Sequence, residues 1–255
     1  MKEIILVAQD SSRYGEDLGE QDALAALMRE LCRLEGVEWV RVMYTYPTHI
    51  SDAFLDVLAS EPKAVKYLDM PLQHASQNVL RLMKRGGNRE SLERLVARVR
   101  ERVPGIAVRT TFITGFPGET EEDFEQLLAF IKAVEFDRVG VFTYSDEEGT
   151  PAFDLPDKVE PKIARRRRDK LMRAQSRVSL KRNRARVGHT VRVLFEGASE
   201  ETDLLWQGRT ETQAPEIDGC VLINDAPEGC APEPGDFVNV LITEAQQYDL
   251  VGAIV

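Results

Sequence analysis

Polar residues follow several short hydrophobic runs in the first 161 residues, and some of them carry side chains that can do chemistry. The clusters are Gln9-Asp10-Ser11-Ser12, Tyr46-Pro47, Gln73-His74-Ala75-Ser76, Thr114-Gly115 and Tyr144-Ser145. A carboxylate can bind a cationic centre, an imidazole can carry a proton, and glutamine or serine can hydrogen-bond a polar ligand. Ordinary turn chemistry explains any one cluster, but five at the ends of hydrophobic runs indicate a shared binding site.

A tight turn, Gly115-Phe116-Pro117-Gly118-Glu119-Thr120, precedes the acidic segment Glu121-Glu122-Asp123. Glycine and proline favour a sharp passage from a strand into a helix. Acidic residues in the first helical turn are stabilised by the helix dipole. The segment therefore predicts a strand, a turn and the start of a helix.

The cysteines do not form a recognisable metal or disulfide pattern. Cys32 lies in a helical, apolar stretch, while Cys220 and Cys230 lie among Gly, Asp and Pro without a close Cys-x-x-Cys pair. An odd, scattered set argues against a disulfide framework. No metal site is predicted from these residues.

The elements that must position the polar clusters alternate along the chain. Before Pro161, β-rich runs predict strands at residues 3–7, 38–44, 64–69, 107–113 and 138–142. Helical periods lie between them at 19–35, 51–59, 77–102 and 121–134. This pattern is typical of β/α units around a parallel sheet, either an open sheet or part of a barrel. In both folds the clusters meet at the carboxyl ends of the strands.

A second, all-β unit is predicted near the end of the chain. Short alternating runs at 191–195, 204–206, 221–223, 237–243 and 250–255, separated by Gly, Pro and Asp, predict a small antiparallel barrel. The predicted organisation is a β/α domain at 1–161, a basic linker helix at 162–186 and a small barrel at 187–255.

Charge divides in the same way. The net charges of the three stretches are −10, +11 and −11. The basic stretch also carries a narrow apolar stripe, which predicts a helix rather than a disordered tail. Its charged face is either simply solvated or in contact with RNA phosphates.

No apolar run approaches the roughly 18 to 20 residues that cross a bilayer. The start, Met1-Lys2-Glu3-Ile4-Ile5, leaves no room for a signal peptide. The sequence therefore predicts a cytoplasmic protein without a membrane partner.

Four longer segments follow one another along the chain: Tyr67-Leu68-Asp69-Met70-Pro71-Leu72-Gln73-His74-Ala75-Ser76, Leu82-Met83-Lys84-Arg85, Arg109-Thr110-Thr111-Phe112-Ile113 and Glu148-Gly149-Thr150-Pro151-Ala152. Together with the tight turn, they resemble the methylthiotransferase branch of the radical S-adenosylmethionine (SAM) enzymes over the whole chain. The resemblance implies an α/β fold: a partial radical SAM (β/α) barrel followed by a small antiparallel β-barrel, the TRAM domain.

Two segments favour the RimO type of this family, which modifies a ribosomal protein, over the MiaB type, which modifies tRNA. Ala8-Gln9-Asp10-Ser11-Ser12-Arg13-Tyr14-Gly15 resembles the RimO form of the first strand end, where the MiaB type tends to carry Gly-Gln-Asn. The second group, Ala214-Pro215-Glu216-Ile217-Asp218-Gly219 with Tyr248-Asp249-Leu250, resembles the RimO form of the TRAM domain. A barrel at −11 would also repel tRNA phosphates and attract a basic small-subunit ribosomal protein. The MiaB type and a non-catalytic acidic binding module remain the alternatives.

The resemblance implies cofactors whose ligands this sequence lacks. Members of the family hold a catalytic 4Fe-4S cluster on a Cys-x-x-x-Cys-x-x-Cys loop and a second cluster on three further cysteines. Neither set occurs here, so we expect a fragment that is inactive alone, with both cluster sites outside the chain. In the intact enzyme the cleavage of SAM yields a radical that takes hydrogen from the β-carbon of an aspartate, where a methylthio group is added.

Strand-end position then implies roles in SAM binding, with no residue assigned to catalysis. Gln9 and Asp10 are expected near the methionine amino group and the sulfonium. Arg109 is expected on the methionine carboxylate, unless it pairs with a neighbouring acid. The remaining expected contacts, to ribose, substrate or adenine, are Gln73, His74, Ser76, Phe112, Ile113, Gly115 and Tyr144. His74 alone is as readily a buried structural histidine.

Overall fold

A computed structural model describes residues 1–199, 202 and 204–255. Its first half contains parallel strands that follow one another in chain order. They are β1 (Glu3–Leu6), β2 (Trp39–Val42), β3 (Tyr67–Asp69), β4 (Ala107–Thr114) and β5 (Arg138–Thr143). β1 pairs with β2, β3–β4–β5 form a second ladder, and a parallel bridge between Val40 and Ala64 joins the two. Sequential parallel order is the arrangement of a barrel, not of a doubly wound sheet.

Helices α1 (Ala23–Cys32), α2 (Asp52–Ser60), α3 (Gln77–Leu82), α4 (Arg89–Arg102) and α5 (Glu121–Val134) connect these strands. Their apolar faces pack on the outer face of the strands, where Val40, Leu68, Val108 and Phe112 are fully buried. Each such side chain contributes about 1.5–3 kcal/mol through removal of apolar surface from water. This core fixes the strand ends relative to one another.

The structure has two helices, α3 and α4, where the sequence predicted one. The expected helix at 77–102 is interrupted because Lys84 and Gly87 adopt left-handed φ angles of +55° and +103°. Asn88 then caps α4 by accepting a hydrogen bond from Ser91 N, in a capping box. The pair Gly86-Gly87 is the sequence signal for this break.

The second half begins with the basic helix α6 (Pro161–Arg184), which packs against α5 and β5. Strands β6 (Thr190–Ala198), β7 (Trp206–Arg209), β8 (Val221–Asp225), β9 (Phe237–Ala245) and β10 (Leu250–Ile254) follow and close into a barrel. Its interior holds Val193, Phe195, Ile223, Val240 and Leu250.

The barrel is not wholly antiparallel. β8 and β10 pair in parallel, whereas the other neighbours in the ring are antiparallel. In the described part of the chain the ring has five strands. An odd number of strands cannot alternate direction all the way around, so a parallel pair must occur in it.

The small barrel covers the inner face of β1–β5 near the amino ends of the strands. Trp39 packs edge-on against Phe237 at 4.9 Å between ring centroids. Arg41, fully buried, bonds Glu3 Oε1 at 2.9 Å and the Glu211 carbonyl at 3.0 Å. The two units therefore share an apolar and charged interface.

None of the helices within the described residues is long and apolar enough to cross a membrane.

Candidate functional site

A cavity of about 310 Å³ opens at the carboxyl ends of the parallel strands, and we call it the rim cavity. Three of the predicted site residues, Gln9, Gln73 and Arg109, line it. The other lining residues are Tyr44, Thr45, Tyr46, Pro71, Arg85, Thr111, Phe142 and Ile217. The expected convergence of separate strand ends is thus present for these three residues.

Gln73 is held in an unusual position at the centre of this region. Its φ is +70°, and its backbone continues the sheet by donating to the Thr111 carbonyl and accepting from Ile113 N, both at 2.8 Å. Its side-chain Oε1 is buried and has no hydrogen-bond partner among the described residues. An unpaired buried acceptor costs about 1–3 kcal/mol, so this atom is poised for a donor from a ligand.

Tyr44, on the same cavity, has a φ of +57°. A bulky residue in the left-handed region is strained by about 1–3 kcal/mol, and such strain clusters at binding sites. The Tyr44 amide donates to Asp69 Oδ2 at 3.1 Å, which helps to hold this conformation.

Arg109 lies between two carboxylates. Its Nη1 is 2.9 Å from Asp69 Oδ1, and its Nε is 3.8 Å from Asp218 Oδ1 of the small barrel. The side chain is 13% exposed, so part of the guanidinium remains accessible from the cavity. In this structure Arg109 therefore has the alternative role given above, an ion pair with neighbouring acids.

A second cavity of about 350 Å³, the side cavity, adjoins the first and shares Gln73 and Arg85 with it. Ile113 lines it, together with Phe116 and Pro151. Tyr144 packs edge-on against Phe116 at 5.0 Å between centroids. Combined, the two cavities match the few hundred Å³ that small-molecule sites occupy.

The structure does not bring the other predicted residues to either cavity. His74 is fully buried; its Nδ1 accepts from Ser76 N at 3.0 Å, and its Nε2 lies 3.6 Å from Glu119 Oε1. Ser76 is 1% exposed and its hydroxyl donates to Asp123. These side chains stabilise the turns behind the site through their buried contacts.

The structure also engages Phe112, Gly115 and Asp10 in packing or hydrogen bonds within the protein, away from both cavities. Phe112 is fully buried, with Phe130 and Phe136 edge-on to its ring. The Gly115 amide donates to the Glu119 carboxylate. Asp10 is outside the lining of both cavities, accepts from Ser12 N at 3.1 Å and lies 3.0 Å from His49 Nδ1.

Several lining residues were not predicted. Arg85 stacks over the Tyr46 ring at 4.7 Å and donates to the Pro71 carbonyl. Tyr46 and Arg85 lie inside the motifs quoted above, which could have indicated them, and so does Asp69, the buried ion-pair partner of Arg109. Ile217 reaches the cavity from the small barrel. It lies in the RimO-like segment 214–219, but nothing in that segment indicates a contact with the strand ends.

The cysteines do not fit an iron-sulfur cluster. Cys32 is buried in α1, while Cys220 and Cys230 belong to the small barrel. Among the described residues no group of three or more His, Cys, Asp or Glu could hold a metal.

A curved parallel sheet with a cavity at its carboxyl edge, joined to a small barrel, defines a class of protein. The model of the Radical SAM superfamily matches residues 4–131, and the TRAM domain model matches residues 187–255. The chain belongs to the Radical SAM superfamily. The predicted combination of a partial radical SAM barrel with a TRAM domain is confirmed. Membership implies SAM and a 4Fe-4S cluster as cofactors.

A solved structure supports the fold. Coproporphyrinogen III oxidase (HemN) from Escherichia coli, a radical SAM enzyme, superposes with a TM-score of 0.51 over 75% of this chain and 52% of its own, at 16% identity.

The curated relatives point to a narrower group within the superfamily. Ribosomal protein uS12 methylthiotransferase RimO of Koribacter versatilis is 50% identical over 254 residues, which cover 100% of this chain and 50% of that protein. RimO of Trichlorobacter lovleyi is 49% identical, covering 100% of this chain and 56% of its own length. The predicted resemblance to the RimO type is confirmed. The chain spans about half the length of these relatives.

The donor set of the rim and side cavities fits SAM, because it offers an unpaired buried acceptor, an arginine and apolar walls. The described cysteines do not fit the cluster.

Proposed function

We propose that this chain forms the SAM-binding core and the TRAM domain of a radical SAM methylthiotransferase that modifies an aspartate of ribosomal protein uS12. The relatives described above are named as ribosomal protein uS12 methylthiotransferases, and the aspartate is the residue that the family resemblance implies. The observation that supports it most directly is the unpaired Gln73 Oε1 at the carboxyl edge of a parallel sheet. Ligands bind at that edge in β/α folds.

In this proposal the strand-end residues hold SAM and do no proton transfer. Gln73 accepts a hydrogen bond from the nucleoside, and Gln9 binds the methionine end. Arg109 pairs with the carboxylate when Asp218 releases it. His74, Ser76 and Gly115 position the loops, and the backbone from Phe112 to Ile113, with Tyr144 behind it, forms a wall for adenine.

The hard chemistry belongs to the cofactors, which supply reductive cleavage of SAM, sulfur and a methyl group. The proposal places the ligands of both 4Fe-4S clusters outside these 255 residues. The chain by itself is therefore proposed to be inactive.

Binding of SAM is testable by calorimetry on the 255-residue chain. Gln73→Ala should weaken SAM binding about tenfold, since the loss of one buried hydrogen bond is worth about 1.4 kcal/mol. Gln247→Ala, an exposed glutamine of the TRAM domain, is the matched control. Equal affinity of the two variants for SAM would show that the nucleotide does not bind in this cavity.

The proposed protein partner is the basic ribosomal protein itself, bound through the TRAM domain. Glu216, Glu228, Glu233, Asp236 and Glu244 are exposed on that domain. Opposite charge steers association and like charge rejects other partners. This substrate also implies a cytoplasmic location.

The basic helix α6 is proposed to contact ribosomal RNA. Lys162, Arg166, Arg173, Arg177 and Arg184 are exposed, and steps of four and seven residues place them on one helical face. No ion pair with a described carboxylate involves them. Repulsion along this face would be relieved by phosphates.

Pull-down with purified uS12 and with tRNA separates the candidate functions. Retention of uS12 that declines with salt supports the RimO type. Selective retention of tRNA would instead favour the MiaB type, and catalysis-independent binding of many basic proteins would favour an acidic binding module.

A further inference from the structure

A cavity of about 490 Å³, the inner cavity, lies between β5, α6 and the TRAM domain. Arg138 and Gly140 of β5, Met172 and Ser179 of α6, and Tyr248 of the TRAM domain all line it. It shares Arg109, Phe142 and Ile217 with the rim cavity. A ligand group in the inner cavity would therefore be a close neighbour of one in the rim cavity.

Two arginines stand side by side on this wall. Arg109 of β4 and Arg138 of β5 are partners in the parallel register, and both line the inner cavity. Adjacent like charges on one face of a sheet are destabilising. Arg109 is balanced by Asp69 and Asp218.

Arg138 has no such balance. The residue is 8% exposed, and no carboxylate of the described residues is within ion-pair distance of it. Its Nη1 donates to the Tyr248 carbonyl at 3.5 Å, and its Nε is buried without a hydrogen-bond partner. A buried charge without a counter-ion is costly.

The neighbouring groups do not supply the missing charge. The carboxylate of Asp137 is 2.8 Å from Arg182 Nη1 and 3.8 Å from Arg100 Nη2. Asp218 accepts from the Tyr67 hydroxyl at 2.7 Å and from Ala214 N at 2.9 Å. Burial lowers the pKa of Arg186, and the nearby positive charge of Arg138 lowers it further. Asp137 and Glu211 act in the opposite direction on Arg186, but neither lies within ion-pair distance of Arg138 among the described residues.

We propose that Arg138 binds a carboxylate in the inner cavity. The inference rests on the proposed function, which offers two sources: the aspartate side chain of the protein substrate, and the methionine carboxylate of SAM, which Arg138 would then share with its register partner Arg109. A guanidinium presents donors in a fork that matches a carboxylate. Contact between the two cavities would place that carboxylate beside the nucleotide.

The test uses ligand-observed NMR on the full 255-residue chain. The probes are N-acetyl-aspartate amide, the corresponding asparagine derivative, SAM and decarboxylated SAM. The variants are Arg138→Gln and Arg138→Lys, with Arg94→Gln, an exposed arginine of α4 that has no proposed role, as control. Circular dichroism verifies folding, and comparison of the probes on wild type needs no variant.

If the substrate supplies the carboxylate, wild type binds the aspartate probe about tenfold more tightly than the asparagine probe. Arg138→Gln then removes the difference, and Arg138→Lys retains part of it. If SAM supplies it, the same pattern separates SAM from decarboxylated SAM. Equal binding within both probe pairs on wild type, or discrimination unchanged in Arg138→Gln, overturns the proposal.

Failure of the proposed function has a different signature. In that case SAM does not bind, or Gln73→Ala does not weaken it, whatever happens at Arg138.

Discussion

The phenol of Tyr67 donates a 2.7 Å hydrogen bond to the carboxylate of Asp218, which joins β3 to a TRAM-domain residue 151 positions later in the chain. Asp218 also approaches Arg109 of the rim cavity at 3.8 Å. The loop that carries Asp218 thus connects the small barrel directly to the wall of the candidate SAM site. We infer that the two units unfold together.

The Tyr67–Asp218 bond should contribute measurably to stability. We expect Tyr67→Phe to lower the free energy of unfolding by about 1–2 kcal/mol at neutral pH, because a buried acceptor loses its donor. Tyr14→Phe, at an exposed tyrosine, should change it by less than about 0.5 kcal/mol. Urea denaturation of the three proteins provides the measurement.

The same bond should be sensitive to alkaline pH. Burial and the negative charge of Asp218 raise the pKa of Tyr67 well above 10. The tyrosine contribution is therefore complete below about pH 10, where the unfolded chain also keeps its proton. Above that pH the unfolded state alone ionises, so stability falls. Tyr67→Phe should fall less steeply; parallel curves for both proteins would contradict this account.

The carboxylate of Glu119 is a buried anchor for the turn behind the site. It is fully buried, 3.4 Å from Arg167 Nη1 and 3.6 Å from His74 Nε2, and accepts the Gly115 amide. We expect Glu119→Ala to destabilise the protein by about 1–3 kcal/mol, since the buried Gly115 amide would lose its acceptor and Arg167 would keep only Glu121 as a carboxylate partner. Thermal unfolding of the variants measures this effect. Glu122→Ala, at an exposed position three residues further along, should change stability very little.

Much of the fold could be predicted from hydrophobic periodicity. The predicted helix at 121–134 has the observed bounds of α5, because Thr120 and Asp123 form a capping box. The strands β1–β5 were also placed within a few residues. Periodicity could not show that the sheet curves into part of a barrel, since that depends on packing between distant elements.

The site was harder to predict. Gln9, Gln73 and Arg109 share the rim cavity as expected, but His74 and Ser76 do not, because neighbours from the turn and α5 bury them. The left-handed φ of Tyr44 has no signal in residue type. Asp218 and Ile217 arrive from another domain, and no local pattern contains that contact.

The cysteine geometry predicts the outcome of cluster reconstitution. After anaerobic treatment with iron and sulfide, we expect the 255-residue chain to show no visible absorbance of a 4Fe-4S cluster. Cys32 is buried, and burial raises the pKa of its thiol above the ordinary value, which disfavours the thiolate that iron requires. A stable, stoichiometric cluster on this chain would contradict the prediction.

Gly115 permits the close approach of α6 to the turn that follows β4. Its φ is +79°, and a Cβ built on it would lie 2.3 Å from Ala164 Cβ. We expect Gly115→Ala to cost at least about 2 kcal/mol, from left-handed strain of roughly 1 kcal/mol plus the clash. Gly149→Ala is the control for strain alone, because Gly149 has a φ of +82° and open space around its Cα. Ala164→Gly should rescue part of the Gly115→Ala loss in a double-mutant cycle, and strictly additive effects would place the clash elsewhere.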